Sequence, residues 1–188
     1  MSDERLGRFR LALERNAAEV VGPVATDEVG SFVAARAVES ASGTMVAVPG
    51  DDEVLDRFGV VDALVAAGAS VLRPDHPDWR GCMATARVGV TGSVAAAAET
   101  GTIGLACGPG APRAVSLTPD VHLCVVPTAV LEDDLGAALS RALTGGLPPN
   151  LVWVSGPSRS ADIEKRITLG VHGPRTLTVV LADGSVSD

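Results

Sequence analysis

Over the first twenty positions apolar residues recur every three or four places, with charged residues between them. This spacing predicts an amphipathic helix with Ser2 or Asp3 as its cap and Gly22 and Pro23 at its end. Short apolar runs of the kind that form buried strands follow along the rest of the chain. We predict strands at residues 44–48, 70–72, 88–91, 103–106, 121–126, 151–154 and 176–181.

Helical patterns and small-residue runs separate these predicted strands. We predict helices from residue 27 through residue 36, at 54–67 with a break at Gly59, at 92–98, at 131–143 with Thr128 as cap, and at 163–169. Alternating strands and helices indicate an α/β fold, with a mostly parallel sheet covered by helices on both faces. At 188 residues the chain is too short for two ordinary domains, so we assign residues 1–22 to an N-terminal helix and 23–188 to one domain.

Composition and charge narrow the classes of function. The net charge is −8 and the basic residues are scattered, which argues against nucleic acid or an anionic membrane as the main partner. No apolar run is long enough for a membrane span, and no secretory signal is visible. Cys82, Cys107 and Cys124 are far apart, so we expect a reducing cytoplasm, no metal or iron–sulfur site and no bound cofactor.

A polar turn follows the apolar run at 151–154, and it is the first candidate for ligand binding. Backbone N–H groups, hydroxyls and a guanidinium in this turn could face one point, which suits an anion. Its candidate residues are Gly156, Ser158, Arg159, Ser160 and Asp162. Ser160 or Asp162 can also cap the helix predicted at 163–169, and Asp162 can orient the guanidinium.

Glu99, Thr100, Gly101 and Thr102 form the second candidate. They place a carboxylate and two hydroxyls around a glycine between a predicted helix and a predicted strand. The carboxylate could accept a ligand hydroxyl, act as a base or attack an acyl group. The alternative interpretation is a turn with solvated side chains.

Arg113 and His172 are single candidate residues. Arg113 ends a Gly- and Pro-rich loop that matches no phosphate-binding motif, yet its side chain could hold a carboxylate or phosphate, or form a surface ion pair. His172 could exchange protons with a bound hydroxy or keto acid, or cap a turn. We interpret His122, inside an apolar run, as a core residue.

Three segments together resemble the lactate utilisation protein C family, which has the LUD domain. They are GVTGSVAAAAETGTIGLACGPGAPR, VHLCVVP and LPPNLVWVSGPSRSADIEKRITLGVHGP. The family pattern often has Asp-Thr-Gly-Thr and Gly-Pro-Ser-Arg-Thr-Ala-Asp, whereas this chain has Glu99 and Ser160 at two of those positions. The resemblance implies a three-layer α/β/α fold similar to the sugar-phosphate isomerase and coenzyme A transferase superfamily (NagB/RpiA/CoA transferase-like).

The resemblance also implies a role in the oxidation of L-lactate to pyruvate, with iron–sulfur proteins as partners. The chain would be an accessory or ligand-binding component that takes a small carboxylate or phosphorylated ligand. An alternative is an enzyme of the coenzyme A transferase or sugar-phosphate type that uses Glu99. The chain could instead be a scaffold whose N-terminal helix binds a partner, and it could form a homo-oligomer. Whether Glu99, Arg159 and His172 converge in one site also stays open.

Overall fold

The structure is a computed structural model that describes residues 3–43, 45–161, 167–169 and 173–184, with backbone alone for 159–161 and 167–169. The helices are α1 (Asp3–Arg15), α2 (Val29–Ala41), α3 (Glu53–Arg57), α4 (Val60–Ala66), α5 (Trp79–Met83), α6 (Ala114–Leu117) and α7 (Leu135–Ala142). The strands are β1 (Glu19–Val24), β2 (Val46–Ala47), β3 (Val71–Leu72), β4 (Val88–Gly92), β5 (Ala95–Ala97), β6 (Thr102–Cys107), β7 (Val121–Pro127), β8 (Leu131–Glu132), β9 (Asn150–Val154), β10 (Arg159–Ala161), β11 (Ile167–Leu169) and β12 (Thr176–Ala182).

A parallel sheet forms the centre of the fold, in the order β1-β12-β7-β4-β2-β3. Its strands are rich in valine and buried on both faces, as parallel strands between two layers must be. In β7, Leu123 and Val125 pack with α2, α3 and α4, while Cys124 and Val126 pack on the opposite face with α1. The predicted three-layer α/β fold with a mostly parallel sheet is confirmed.

A second, mixed sheet in the order β8-β5-β6-β9 lies beside the central one. The helix predicted at 92–98 is wrong, because residues 95–97 form β5. Ala95 and Ala97 pack towards Ala138 and Trp153, whereas Ala96 and Ala98 pack into the core with α1. This alternation is the period of a strand, and small side chains let both faces pack closely.

Three other predicted helices also differ from the structure. The first ends at Arg15, since Ala17 is left-handed (φ 64°) and residues 19–24 form β1. The helix predicted at 131–143 begins only at Leu135, because Asp134, and not Thr128, accepts a hydrogen bond from the Ala137 N–H as its cap. Of the helix predicted at 163–169, residues 167–169 are β11, antiparallel to β10, and the rest lies outside the described residues. The break at Gly59 between α3 and α4 is confirmed.

The N-terminal helix α1 packs on the body of the protein. Its apolar side chains Phe9 and Leu13 are fully buried against the central and second sheets. On the polar side of α1, Arg5 and Arg8 both form ion pairs with Asp133, and all three side chains are partly exposed to solvent. In the part of the chain that the structure describes, no helix has both the length and the apolarity needed to cross a membrane.

Candidate functional site

Three hydroxyls join the two sequence motifs that we predicted as ligand-binding. Thr100 Oγ1 lies 2.7 Å from Thr102 Oγ1, which lies 2.8 Å from Ser155 Oγ. The pairing is possible because β6 and β9 are antiparallel neighbours, with Ile103 opposite Val154. We call Thr100, Thr102 and Ser155 the hydroxyl chain. It brings the turn at residues 99–102 next to the polar turn at residues 156–158.

Both turns are packed tightly against the end of α1. Gly101 is left-handed (φ 63°), and a Cβ there would lie 2.7 Å from the Leu13 backbone nitrogen. At Gly156 a Cβ would lie 2.6 Å from the Asn16 carbonyl oxygen. Glycine is therefore required at each position by close backbone approach, and α1 fixes where the two turns sit.

A cavity of about 250 Å³ opens beside the polar turn, and we call it the amino-end cavity. Its polar wall comprises Ser116, His122, Ser155 and Ser158, and its apolar wall includes Trp153 and Leu177. The Ser158 N–H donates to the Pro174 carbonyl (2.8 Å), which holds the polar turn against the segment before β12. The described walls thus combine hydroxyls and an imidazole with an apolar face.

The cavity lies at the amino ends of the central strands. His122 and Leu177 are the second residues of β7 and β12, and β9 belongs to the mixed sheet. The polar turn therefore does not lie at the carboxyl ends of the parallel strands, where open α/β sheets usually bind their ligands. That rule applies to strands of an open parallel sheet, and the apolar run at 151–154 is a half-buried edge strand of the other sheet.

His122 is buried, as its apolar surroundings in the sequence predict, yet its ring forms part of the cavity wall. Nε2 lies 2.8 Å from Thr91 Oγ1 on the neighbouring strand β4. Burial lowers the pKa of His122 to about 4, so the ring is neutral at neutral pH. Burial also raises the pKa of the Cys124 thiol, a second neighbour of Thr91, to about 12.

The other predicted site residues do not gather at this cavity within the described residues. Glu99 is exposed, and its backbone N–H donates to the Asp133 carbonyl (3.0 Å). Arg113 is exposed and directly precedes α6. Its positive charge partly offsets the rise that burial causes in the pKa of the Cys107 thiol. Whether Glu99, Arg159 and His172 converge in one site stays open.

Four predicted site residues are placed only in part or not at all. The backbone of Arg159 and Ser160 lies in β10, which starts directly after the cavity residue Ser158. Asp162 and His172 lie outside the described residues.

A second hollow, of about 470 Å³, lies at the carboxyl ends of β2 and β4. The Asp52 carboxylate accepts from the backbone N–H groups of Val54, Leu55 and Gly92, and so joins the ends of these two strands. Burial raises the pKa of Asp52. Ser93 and Arg141 also line this hollow. Its sequence signal is the turn Pro49-Gly50-Asp51-Asp52, which follows the strand predicted at 44–48.

Within the described ranges, no group of three or more His, Cys, Asp or Glu side chains is arranged to hold a metal ion. The described cysteines, Cys82, Cys107 and Cys124, are all free thiols.

Curated relatives of this chain include several proteins named lactate utilization protein C. The one from Shouchella clausii is 33% identical over 148 residues, which are 75% of this chain and 64% of that protein. The one from Deinococcus radiodurans is 35% identical over 133 residues, 68% of this chain and 61% of that protein. An uncharacterized protein of Neisseria meningitidis serogroup B is 36% identical over 94 residues, 49% of this chain and 40% of that protein. The chain thus spans 40–64% of the length of these relatives.

A solved structure and a family model cover almost the whole chain. The crystal structure of a DUF162 family protein from Deinococcus radiodurans matches with a TM-score of 0.68 and 27% identity, over 98% of this chain and 99% of that one. The family model described as the LUD domain matches residues 6–182. The predicted resemblance is confirmed, and the chain belongs to the LUD domain family.

Proposed function

We propose that this chain is a component of an L-lactate utilisation system, in which it binds a small carboxylate ligand in the amino-end cavity. Its relatives named lactate utilization protein C support the biological role. The main support for this binding site is the hydroxyl chain. It ends at Ser155 in the cavity wall, and it links two motifs that are far apart in the sequence.

The size and lining of the cavity favour a small organic acid. Pockets for drug-sized ligands usually measure ~300–1,000 Å³, and the amino-end cavity, at about 250 Å³, lies just below that range. Trp153 and Leu177 offer an apolar face for a methyl group, while Ser155 and Ser158 offer hydroxyls for oxygen atoms. We propose that Arg159, directly after Ser158, supplies the positive charge that pairs with the carboxylate.

We further propose that electrons leave lactate through iron–sulfur partner proteins in the cytoplasm. Three cysteines on three separate elements, two of them buried, support a division of labour in which this chain binds and the partners carry the clusters. Affinity capture of the tagged full chain from its native cells tests this. Co-purification of proteins with iron–sulfur absorbance is expected, and capture without any iron-containing protein would contradict it.

Isothermal titration calorimetry with L-lactate, pyruvate and phosphoenolpyruvate tests the binding site. Ser158→Ala and Arg159→Ala should each weaken binding of the preferred acid by about 10-fold or more, since a hydrogen bond to a charged group contributes ~1.5–3 kcal/mol. The control is Arg80→Ala, an exposed arginine on α5. Equal binding by all four proteins would remove the amino-end cavity as the site.

Thioester chemistry at Glu99 is the second candidate function. The Glu99 side chain is exposed and directly precedes the hydroxyl chain, so an acyl donor can reach it. A carboxylate oxygen would bond to the thioester carbonyl carbon as the carbon–sulfur bond breaks, and the thiolate of coenzyme A would leave. Mass spectrometry after incubation with acyl-coenzyme A should then find an adduct on Glu99 and none in Glu99→Gln.

A further inference from the structure

The segments after β2 and β4 leave the central sheet in opposite directions. From β2 the chain passes to β3 at the edge of the sheet, and it then returns to β4 on the other side of β2. The helices α3 and α4, which follow β2, pack on one face of the sheet, whereas β5 and β6, which follow β4, pack on the other face. The carboxyl ends of β2 and β4 thus flank a topological switch point, where open α/β sheets bind their ligands.

The hollow of about 470 Å³ lies at this switch point, and we call it the carboxyl-end hollow. Residues 51–54 after β2 and residues 92–94 at the end of β4 form part of its lining, together with Ala106 of β6 and Arg141 of α7. Its volume lies within the ~300–1,000 Å³ that is usual for small-molecule pockets. No described residue lines both this hollow and the amino-end cavity, so the hollow is a separate candidate site.

The backbone N–H groups at the switch point are already bonded. The Asp52 carboxylate accepts hydrogen bonds from Val54 (3.1 Å), Leu55 (3.1 Å) and Gly92 (2.8 Å). In many α/β folds, N–H groups at the start of the helix that follows a strand bind a phosphate group instead. Because Asp52 uses these donors and places its own negative charge there, the carboxyl-end hollow is unsuited to a phosphorylated ligand.

Side chains of both charges line the hollow and have bonding capacity to spare. Within the described part of the chain, the carboxylates of Asp51 and Glu53 form no hydrogen bond or ion pair. Arg141 donates from Nε to Glu132 Oε1 at 2.6 Å, and its two terminal nitrogens have no partner among the described residues. The apolar part of the lining consists of Val54, Val94, Ala106 and Val130. The hollow therefore offers a negative group, a positive group and an apolar surface.

We propose that the carboxyl-end hollow binds a free amino acid with an apolar side chain. The ammonium group of the ligand pairs with the carboxylates of Asp51 and Glu53, and its carboxylate pairs with the terminal nitrogens of Arg141. Its side chain packs on the apolar lining. A ligand with only one of the two charges leaves part of the site unpaired, which makes the site selective for the zwitterion. This site does not depend on the binding of lactate in the amino-end cavity.

Calorimetry with three probes of similar shape tests both charges on the wild-type protein. L-leucine should bind about 10-fold more tightly than isoamylamine, which lacks the carboxylate, and than isocaproate, which lacks the amino group, since each loses hydrogen bonds to a charged group. Binding of either analogue as tightly as L-leucine would overturn the proposal. So would the absence of binding by L-leucine, L-methionine and L-phenylalanine alike.

Two variants locate the charged contacts. Arg141→Gln should weaken the binding of L-leucine by about 10-fold and leave that of isoamylamine unchanged, because isoamylamine has no carboxylate. The double variant Asp51→Asn/Glu53→Gln should likewise weaken L-leucine and leave isocaproate unchanged. The controls, expected to bind as the wild type does, are Arg87→Gln, which also loses one ion pair, and Asp62→Asn, exposed on α4. If Arg141→Gln weakens L-leucine and isoamylamine equally, Arg141 has only a structural role and the proposal is wrong.

A change in the other cavity shows which site the amino acid occupies. Ser158→Ala alters the amino-end cavity and should bind L-leucine as tightly as the wild type does. Loss of L-leucine binding in Ser158→Ala would place the amino acid in the amino-end cavity and overturn the proposal. Circular dichroism establishes that each variant is folded.

Discussion

Gly101 links the N-terminal helix to the hydroxyl chain, and its replacement by alanine should destabilise the fold more than the backbone conformation alone explains. An alanine in the left-handed region costs roughly 1–2 kcal/mol. At Gly101 the added methyl group would also lie 2.7 Å from the Leu13 nitrogen and 2.8 Å from the Ala12 carbonyl carbon, both backbone atoms that cannot rotate away. Overpacking of this kind typically costs ~1–3 kcal/mol more.

Gly59 is the matched control, because its φ of 59° is close to the 63° of Gly101 and a Cβ there would meet nothing within 4 Å. Both substitutions also remove the same conformational freedom from the unfolded chain, so that effect cancels in the difference. Urea unfolding should give a free energy of unfolding for Gly101→Ala that is about 1–3 kcal/mol below that of Gly59→Ala, with similar m values. Equal stabilities would refute the tight packing of α1 on this turn.

Three further predictions concern titration, capping and thiol reactivity. The pKa of His122 is about 4 in the folded protein and 6.5 in the unfolded chain, so the unfolded state binds more protons between these values. The free energy of unfolding should therefore fall by about 3 kcal/mol as the pH drops from 6.5 to 4. Urea unfolding at several pH values should show a weaker fall in His122→Gln. Asp52→Ala removes the acceptor of three backbone N–H groups and should destabilise the fold by about 2–4 kcal/mol. Asp134 caps α7 through one N–H, so Asp134→Ala should cost about 1 kcal/mol. Equal losses of stability in thermal unfolding would contradict this prediction. A thiol reagent followed by mass spectrometry should label Cys82 in the native protein and Cys124 only after unfolding, because Cys124 is buried and its pKa is about 12.

Five of the six strands of the central sheet could be predicted from the sequence because their signal is local. Strands such as β4, β7 and β12 are valine-rich runs bounded by Gly, Pro or Asp, and parallel strands buried on both faces need no other pattern. The left-handed Gly59 likewise marks the end of α3 by its residue type alone.

The second sheet could be predicted only in part. β6 and β9 match strands predicted at 103–106 and 151–154, whereas β5 is defined by its pairing and not by its residue types. Residues 95–98 are all alanine, which favours helices on propensity, and only the pairing of β5 with β6 and β8 makes them a strand. The strand β1 near the start of the chain is also defined by its pairing and not by its residue types. Glu19–Val24 continues the apolar spacing of α1, yet it forms β1 by pairing with β12 at the opposite end of the sequence.

The candidate site was predictable in its motifs but not in its position. The two turns that contain Thr100 and Ser158 carry hydroxyls and glycines that point to ligand binding from sequence alone. Ser155 and His122 gave no such signal, because one follows an apolar strand and the other lies within one. Only the antiparallel pairing of β6 with β9, and the parallel pairing of β7 with β12, brings them to the cavity.

The occupancy of the amino-end cavity is tested most directly by the fluorescence of Trp153, which lines it. The chain has two tryptophans, and Trp79→Phe leaves Trp153 as the sole reporter. Titration with L-lactate should change its emission saturably, with the dissociation constant that calorimetry gives for the same variant, and Ser158→Ala should shift the curve to higher concentration. Unchanged Trp153 emission at lactate concentrations that saturate the calorimetric signal would place the ligand elsewhere and contradict the account.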